Sequence, residues 1–234
     1  MTGRRIIAGA ALWLWPQGAT RIIPDFAALA RLWGEAVKLY DSERSGNCYK
    51  IRLFLSLTGT PCERIGVDLV AGENQTAAYR RMNPRGQVPV FEDDGTVIWD
   101  STAILVYLAR KLGREDLLPL DPPGMAEVTQ WLALAQNEIL YGLARSRAVL
   151  RFKRPWNLAE TQAAGRTALA VLDQRLAAHP WLALDRLTLA DIACYPYAAL
   201  APEGGIELDP YPAVRAWIDR IAALPGHPPL PGRA

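Results

Sequence analysis

The sequence predicts an α/β domain with the element order βαβαββα, joined by a short linker to an all-α helical bundle. Up to about residue 117, apolar runs of strand length alternate with helical stretches, and turn residues stand between them. The segment Leu118-Pro119-Leu120-Asp121-Pro122-Pro123-Gly124 can neither continue a helix nor join a sheet, and it reads as the linker. Beyond it apolar residues recur only at three- and four-residue spacing. The expected division is therefore an extension over residues 1–36, an α/β domain over 37–117, a linker over 118–124, a helical domain over 125–226 and a tail over 227–234.

Residues 37–40 form a short apolar strand, followed by the polar turn Asp41-Ser42-Glu43-Arg44-Ser45-Gly46 and a helix over about residues 47–57 that Gly59 closes. Residues 63–69 read as a second strand, 76–82 as a short helix, and Asn83-Pro84-Arg85-Gly86 as a turn. Two strands, 88–92 and 96–99, flank Asp93-Asp94-Gly95, where an Asp-Gly pair between apolar runs signals a tight hairpin. The helix over 101–112 is apolar almost all round and needs cover on both sides. The sheet supplies one cover, and the other must be a second domain or a partner subunit.

In the helical part, residues 125–150 carry Trp131, Leu134, Ala135, Glu138 and Tyr141 at helical spacing, and Arg154-Pro155-Trp156-Asn157 breaks the pattern. A second long helix follows over 158–178. Thr188-Leu189-Ala190-Asp191 is a capping box that opens a helix over 192–200, and Pro212 begins the last one, which Pro225-Gly226 ends. Trp131, Trp156, Trp181 and Trp217 are expected in the bundle core or at an interface.

Half of the residues are hydrophobic, about a fifth are charged, and 26 basic residues nearly balance 24 acidic ones. That describes a folded globular chain and excludes an electrostatic nucleic-acid footprint. Cys48, Cys62 and Cys194 form no CxxC pair and are odd in number, so neither a disulfide framework nor a zinc site is indicated, and a reducing, cytoplasmic compartment fits. His179 and His227 are the only histidines, which leaves little for metal binding. The apolar run after Arg4-Arg5 resembles a signal peptide but is too short to span a membrane, and Pro16-Gln17-Gly18-Ala19 matches a cleavage site poorly. The reading taken is an upstream extension or a mis-assigned start, with Val37 as the initiating position.

Four groups of residues carry a family resemblance: Lys38-Leu39-Tyr40; Ser45-Gly46-Asn47-Cys48-Tyr49-Lys50-Ile51-Arg52-Leu53; Asn83-Pro84-Arg85-Gly86-Gln87-Val88-Pro89-Val90; and Asp100-Ser101-Thr102-Ala103-Ile104. In this order and spacing they resemble the amino-terminal domain of the glutathione S-transferase family. Leu187-Thr188-Leu189-Ala190-Asp191-Ile192-Ala193 resembles the capping motif of the family's helical domain. The resemblance implies a thioredoxin-like fold for the first domain, glutathione as co-substrate without a metal, a homodimer, and detoxifying transfer of glutathione to a small hydrophobic electrophile. Isomerisation and disulfide reduction on the same fold, or a non-catalytic glutathione-binding module, are the alternatives.

The resemblance further implies a cis peptide before Pro89, which turns the Val88 N–H and C=O outward to pair with an extended peptide, as glutathione is. Gln87 lies beside that peptide. Asp100-Ser101 opens a helix, whose free N–H groups suit the γ-glutamyl carboxylate, with the Ser101 hydroxyl as an added donor. Asp100 is the candidate for the ligand's ammonium group. Ser45 stands where serine-type members carry the catalytic hydroxyl, and a hydroxyl donor at a helix amino terminus favours a thiolate. It would hold the glutathione thiolate and not itself attack, with Asn47 as a second donor. Cys48 is the rival for a mixed-disulfide reaction but falls three residues late and reads as buried. Tyr40 falls one residue early for a tyrosine-type site, and strand alternation turns it to the opposite face. Glu138, Tyr141, Arg145 and Arg147 are the candidate wall for the second substrate.

Overall fold

In a computed structural model, residues 6–7, 10–14, 20–22 and 37–231 are described. Strands β1 (Ile6–Ile7), β2 (Ala10–Leu14) and β3 (Thr20–Ile22) form a small antiparallel sheet of their own. Apart from the backbone of those strands, the readings placed on residues 1–36 lie outside the described residues.

The βαβαββα order is present. Strand β4 (Lys38–Asp41) pairs in parallel with β5 (Glu63–Gly66) and antiparallel with β6 (Val90–Asp93), and β7 (Thr96–Trp99) completes a sheet ordered β5-β4-β6-β7. Parallel pairing of β4 and β5 requires a crossover, which is helix α1 (Gly46–Thr58), capped by Ser45 and closed by left-handed Gly59. The hairpin between β6 and β7 turns on Asp94 and Gly95, both at positive φ (46° and 75°), as a tight turn matched to strand twist demands. Side chains alternate across the sheet. Leu39 and Phe91 enter the main core, whereas Tyr40 and Val90 join Tyr79 of helix α2 (Ala77–Met82) on the other face. Strand β5 ends three residues short of expectation, because the Asp68 carboxylate accepts from the amides of Val70 (2.8 Å) and Ala71 (3.0 Å) and bends the chain.

Helix α3 (Ser101–Lys111) buries Ile104, Leu105, Leu108 and Ala109 in a core shared with the helical part, so a second domain supplies the expected cover. The linker is shorter than residues 118–124. Helix α4 (Pro122–Gln136) starts inside it, since Asp121 caps Gly124 at 2.8 Å and prolines in a first turn forfeit no helical hydrogen bond. The single helix expected over 125–150 is also interrupted, by a π-helical segment (Ile139–Ala144) ahead of α5 (Arg145–Phe152). At Gly142 a β-carbon would lie 2.3 Å from the Gly165 nitrogen, so the chain meets helix α6 (Leu158–Ala178) backbone to backbone at the bulge.

Helix α7 (Leu189–Ala199) opens on the Thr188/Asp191 capping box. Asp191 is fully buried and accepts four hydrogen bonds, from the amides of Leu182 and Thr188, the Thr188 hydroxyl and Trp217 Nε1. Trp217 on α8 (Pro212–Ala222) and Trp131 are buried as expected, but Trp156 stands 41% exposed. Residues 226–230 pack back on α1: Ser56 Oγ donates to Gly226 O and Tyr49 Oη to Pro228 O, both at 2.6 Å, and Leu230 is buried. Helix α1 is thus held between the sheet, α7 and this returning segment. No described helix is long and apolar enough to cross a membrane.

Candidate functional site

Strand register brings the sequence motifs to one edge of the sheet. Tyr40 is paired with Val90, and Val90 with Trp99, so these three form one cross-strand row. Just beyond that row lie the turn 41–45 after β4, Val88-Pro89 before β6, and Asp100-Ser101 after β7. Neighbouring strands are about 4.8 Å apart, so the three segments fall within the length of one tripeptide.

Ser45 caps α1, with Oγ accepting from Cys48 N at 3.3 Å while its N–H donates to Ser42 O at 2.9 Å. The hydroxyl hydrogen stays available to another acceptor. The three preceding carbonyls are each held by a guanidinium: Arg52 reaches Ser42 O (3.5 Å) and Glu43 O (2.8 Å), and Arg147 reaches Arg44 O (2.9 Å). Arg52 is itself anchored on buried Asp41 (2.7 Å), and Arg147 on Glu203 (2.7 Å). Because Arg44 C=O and Ser45 N–H belong to one peptide unit, both ends of the unit before the candidate hydroxyl are fixed.

Asn47 follows on the first turn of α1, with Oδ1 buried and unpartnered. One turn further, Lys50 is wholly buried without a hydrogen bond, its Nζ 5.6 Å from the Tyr197 ring centre, and burial pushes its ammonium down to about 8. The site is closely built there. A β-carbon on Gly46 would lie 2.6 Å from the Tyr197 ring of α7. Cys48 is fully buried, and burial first, then the Asp41 charge, push its thiol up to about 12, which suits a packed thiol and not a nucleophile. Tyr40 faces away from this edge, with its hydroxyl on Glu92 (3.0 Å) and its ring edge-on to Tyr79.

The Val88–Pro89 peptide is cis. Among the described residues the Val88 N–H and C=O have no hydrogen-bond partner, whereas the Gln87 carbonyl takes Asn83 Nδ2 (2.7 Å) and Tyr79 Oη (3.1 Å). The Gln87 side chain is exposed. Asp100 occupies a left-handed region rare for a non-glycine residue (φ 76°, ψ 126°), a conformation that surrounding contacts must enforce. Those contacts are Thr102 N (2.9 Å) and Gln136 Nε2 (2.5 Å) on Oδ1, and Arg85 (3.4 Å) on Oδ2. An ammonium group would have to share these oxygens. Ser101 is buried with Oγ unpartnered, at the start of α3.

The second-substrate candidates separate. Tyr141 is exposed, and Arg145 lies 4.2 Å from its ring centre and 4.9 Å from that of Trp156. Glu138 is exposed beside them in sequence. Arg147 is not in that wall: it is buried and turned toward Arg44 and Glu203. Sequence reasoning missed Arg147, Arg52 and Gln136 as supports of the site. Arg52 carried a local cue, the i, i+11 reach back to Asp41, but Gln136 and Arg147 depend on how the two domains dock. Among the described residues no group of three or more His, Cys, Asp or Glu side chains could hold a metal.

The models of the glutathione S-transferase N-terminal and C-terminal domains match residues 35–110 and 148–225. The chain is 32% identical over 199 residues to the maleylacetoacetate isomerase of Pseudomonas aeruginosa, spanning 81% of this chain and 92% of that protein. It is 30% identical over 195 residues to the disulfide-bond oxidoreductase YfcG of Escherichia coli, spanning 76% and 87%. A solved glutathione S-transferase from Pseudomonas fluorescens matches with a TM-score of 0.79 at 36% identity, covering 84% of this chain and 100% of that one. On the matches to both domain models and the shared two-domain fold, the chain belongs to the glutathione S-transferase family of enzymes.

Proposed function

We propose that this enzyme binds glutathione along the Tyr40–Val90–Trp99 edge and activates its thiol with Ser45 for attack on a small, largely apolar electrophile. The observation that carries the reading is that register. It sets an unpaired main-chain edge at Val88 between a helix amino terminus with a free hydroxyl, Ser101, and a second one capped by Ser45. In this reading Val88 pairs with the peptide, the α3 terminus and Ser101 take the γ-glutamyl carboxylate, and Gln87 and Asp100 flank them. The Ser45 hydroxyl and the α1 terminus favour the thiolate, with Asn47 as a second donor. The thiolate forms the new carbon–sulfur bond, and the thiol proton leaves to solvent.

Isomerisation is the second reading, favoured by the likeness to the maleylacetoacetate isomerase. There the same thiolate adds and is later expelled. Disulfide reduction through Cys48 is disfavoured by that thiol's burial. We also propose a homodimer in a reducing cytoplasm: β7 is an edge strand with Val97 and Trp99 exposed, and all three cysteines are free.

Product stoichiometry tests the assignment. With glutathione and a panel of electrophiles, transfer consumes one glutathione per thioether formed, isomerisation consumes none, and reduction yields oxidised glutathione. Absence of all three products would refute an activated thiol.

A further inference from the structure

Two arginines at the mouth of the site lie against aromatic rings without a counter-ion. The Arg145 guanidinium lies 4.2 Å from the Tyr141 ring centre and 4.9 Å from that of Trp156, and the Arg44 guanidinium lies 4.9 Å from the Phe152 ring centre. Neither makes a side-chain hydrogen bond or ion pair among the described residues. Four other arginines there are ion-paired: Arg147 and Arg151 share Glu203, and Arg52 and Arg64 share Asp41 and Glu43. A guanidinium packed against aromatic rings keeps its in-plane N–H edge, which is the edge that grips a carboxylate.

The position follows from α5. Arg44 directly precedes Ser45 and rests on Phe152, at the carboxyl end of that helix. Arg145 lies seven residues earlier, two turns back along the same face and about 10 Å away at helical rise. Arg145 and Phe152, against which Arg44 rests, therefore mark two points on one face of α5, and Arg147 between them reaches Arg44 O beside Ser45.

We propose that Arg145, held beside Tyr141 and Trp156, is a carboxylate subsite, so that the electrophile this enzyme prefers is an anion with an unsaturated body. The inference rests on the glutathione-transfer reading above and narrows its second substrate. The aromatic rings serve the body of the electrophile and Arg145 its charge.

The test compares chlorodinitrobenzoate with its methyl ester, in which thiolate attack forms the carbon–sulfur bond and expels chloride. The wild type should prefer the acid, and Arg145→Gln should lower the acid-to-ester ratio of kcat/KM by roughly five- to tenfold. Arg145→Lys keeps the charge without the planar fork and should recover only part of the ratio. An unchanged ratio in Arg145→Gln overturns the subsite. So does an unchanged ratio with a raised KM for glutathione, which would give Arg145 to the tripeptide. Equilibrium binding of the two ready-made thioether conjugates of glutathione provides the same ratio independently of turnover. A wild type that binds neither conjugate overturns the transfer reading itself, whereas one that binds both equally overturns only the subsite.

Discussion

Replacing Ser45 with alanine separates the two jobs its hydroxyl has in this account. As a cap it accepts from Cys48 N at 3.3 Å, a long hydrogen bond, so the loss of stability should fall at the low end of the capping range, about 0.5–1 kcal/mol. As a donor to a thiolate it makes a charge-assisted bond of about 1.5–3 kcal/mol. At about 1.4 kcal/mol per pKa unit, its loss raises the thiol pKa of bound glutathione by about one to two units. Below that pKa the thiolate fraction, and with it kcat/KM, should drop by about ten- to a hundredfold. Glutathione affinity should change little, because Val88 and the α3 terminus hold the peptide. The assay is the pH dependence of kcat/KM for conjugation, with the ultraviolet absorbance of the bound thiolate, calorimetric affinity and thermal denaturation as companions. A variant whose pH profile and turnover match the wild type would refute the assignment, even if its melting temperature fell.

Three further outcomes follow from buried groups. Arg147→Met removes the donors to Arg44 O and Glu203, so kcat should fall together with stability, by about 2–4 kcal/mol in chemical denaturation; full activity would show that the turn needs no anchor from the helical domain. Lys50 has its pKa lowered from 10.5 to about 8, so the stability of its neutral form is full above 10.5 and lost as pH falls through 8. Lys50→Met should therefore stabilise the protein near neutral pH by about 1–3 kcal/mol, with the gain vanishing at high pH; a destabilised variant at neutral pH would contradict the burial argument. Asp191 is pushed up from 3.8 to about 6 by burial, against its four donors, so its share of stability is full below 3.8 and lost as pH rises through 6. Asp191→Asn leaves one acceptor oxygen for four donors and should cost about 2–4 kcal/mol, more at mildly acidic than at alkaline pH; a pH-independent cost would contradict the shift.

Much of the fold was legible because its signals are local. Asp94-Gly95 fixes a hairpin through positive φ, Gly59 stops α1, and Thr188 with Asp191 opens α7. Leu39 and Tyr40 announce opposite faces of β4 by alternation alone. What the sequence hid are events between elements. Pro122 and Pro123 read as linker, yet they begin α4 once Asp121 caps it. The π-helical segment is set by contact between Gly142 and Gly165, which are far apart in the chain. The site divides in the same way. Ser45, Val88 and Ser101 belong to local motifs and are candidates from sequence alone, whereas the contacts of Arg147, Gln136 and Trp156 exist only after the domains dock.

The central claim is that the edge between Val88, Ser101 and Ser45 receives glutathione. Calorimetric titration of the full chain with glutathione measures this directly. The account predicts saturable heat with one glutathione per chain. No heat at millimolar glutathione would contradict it.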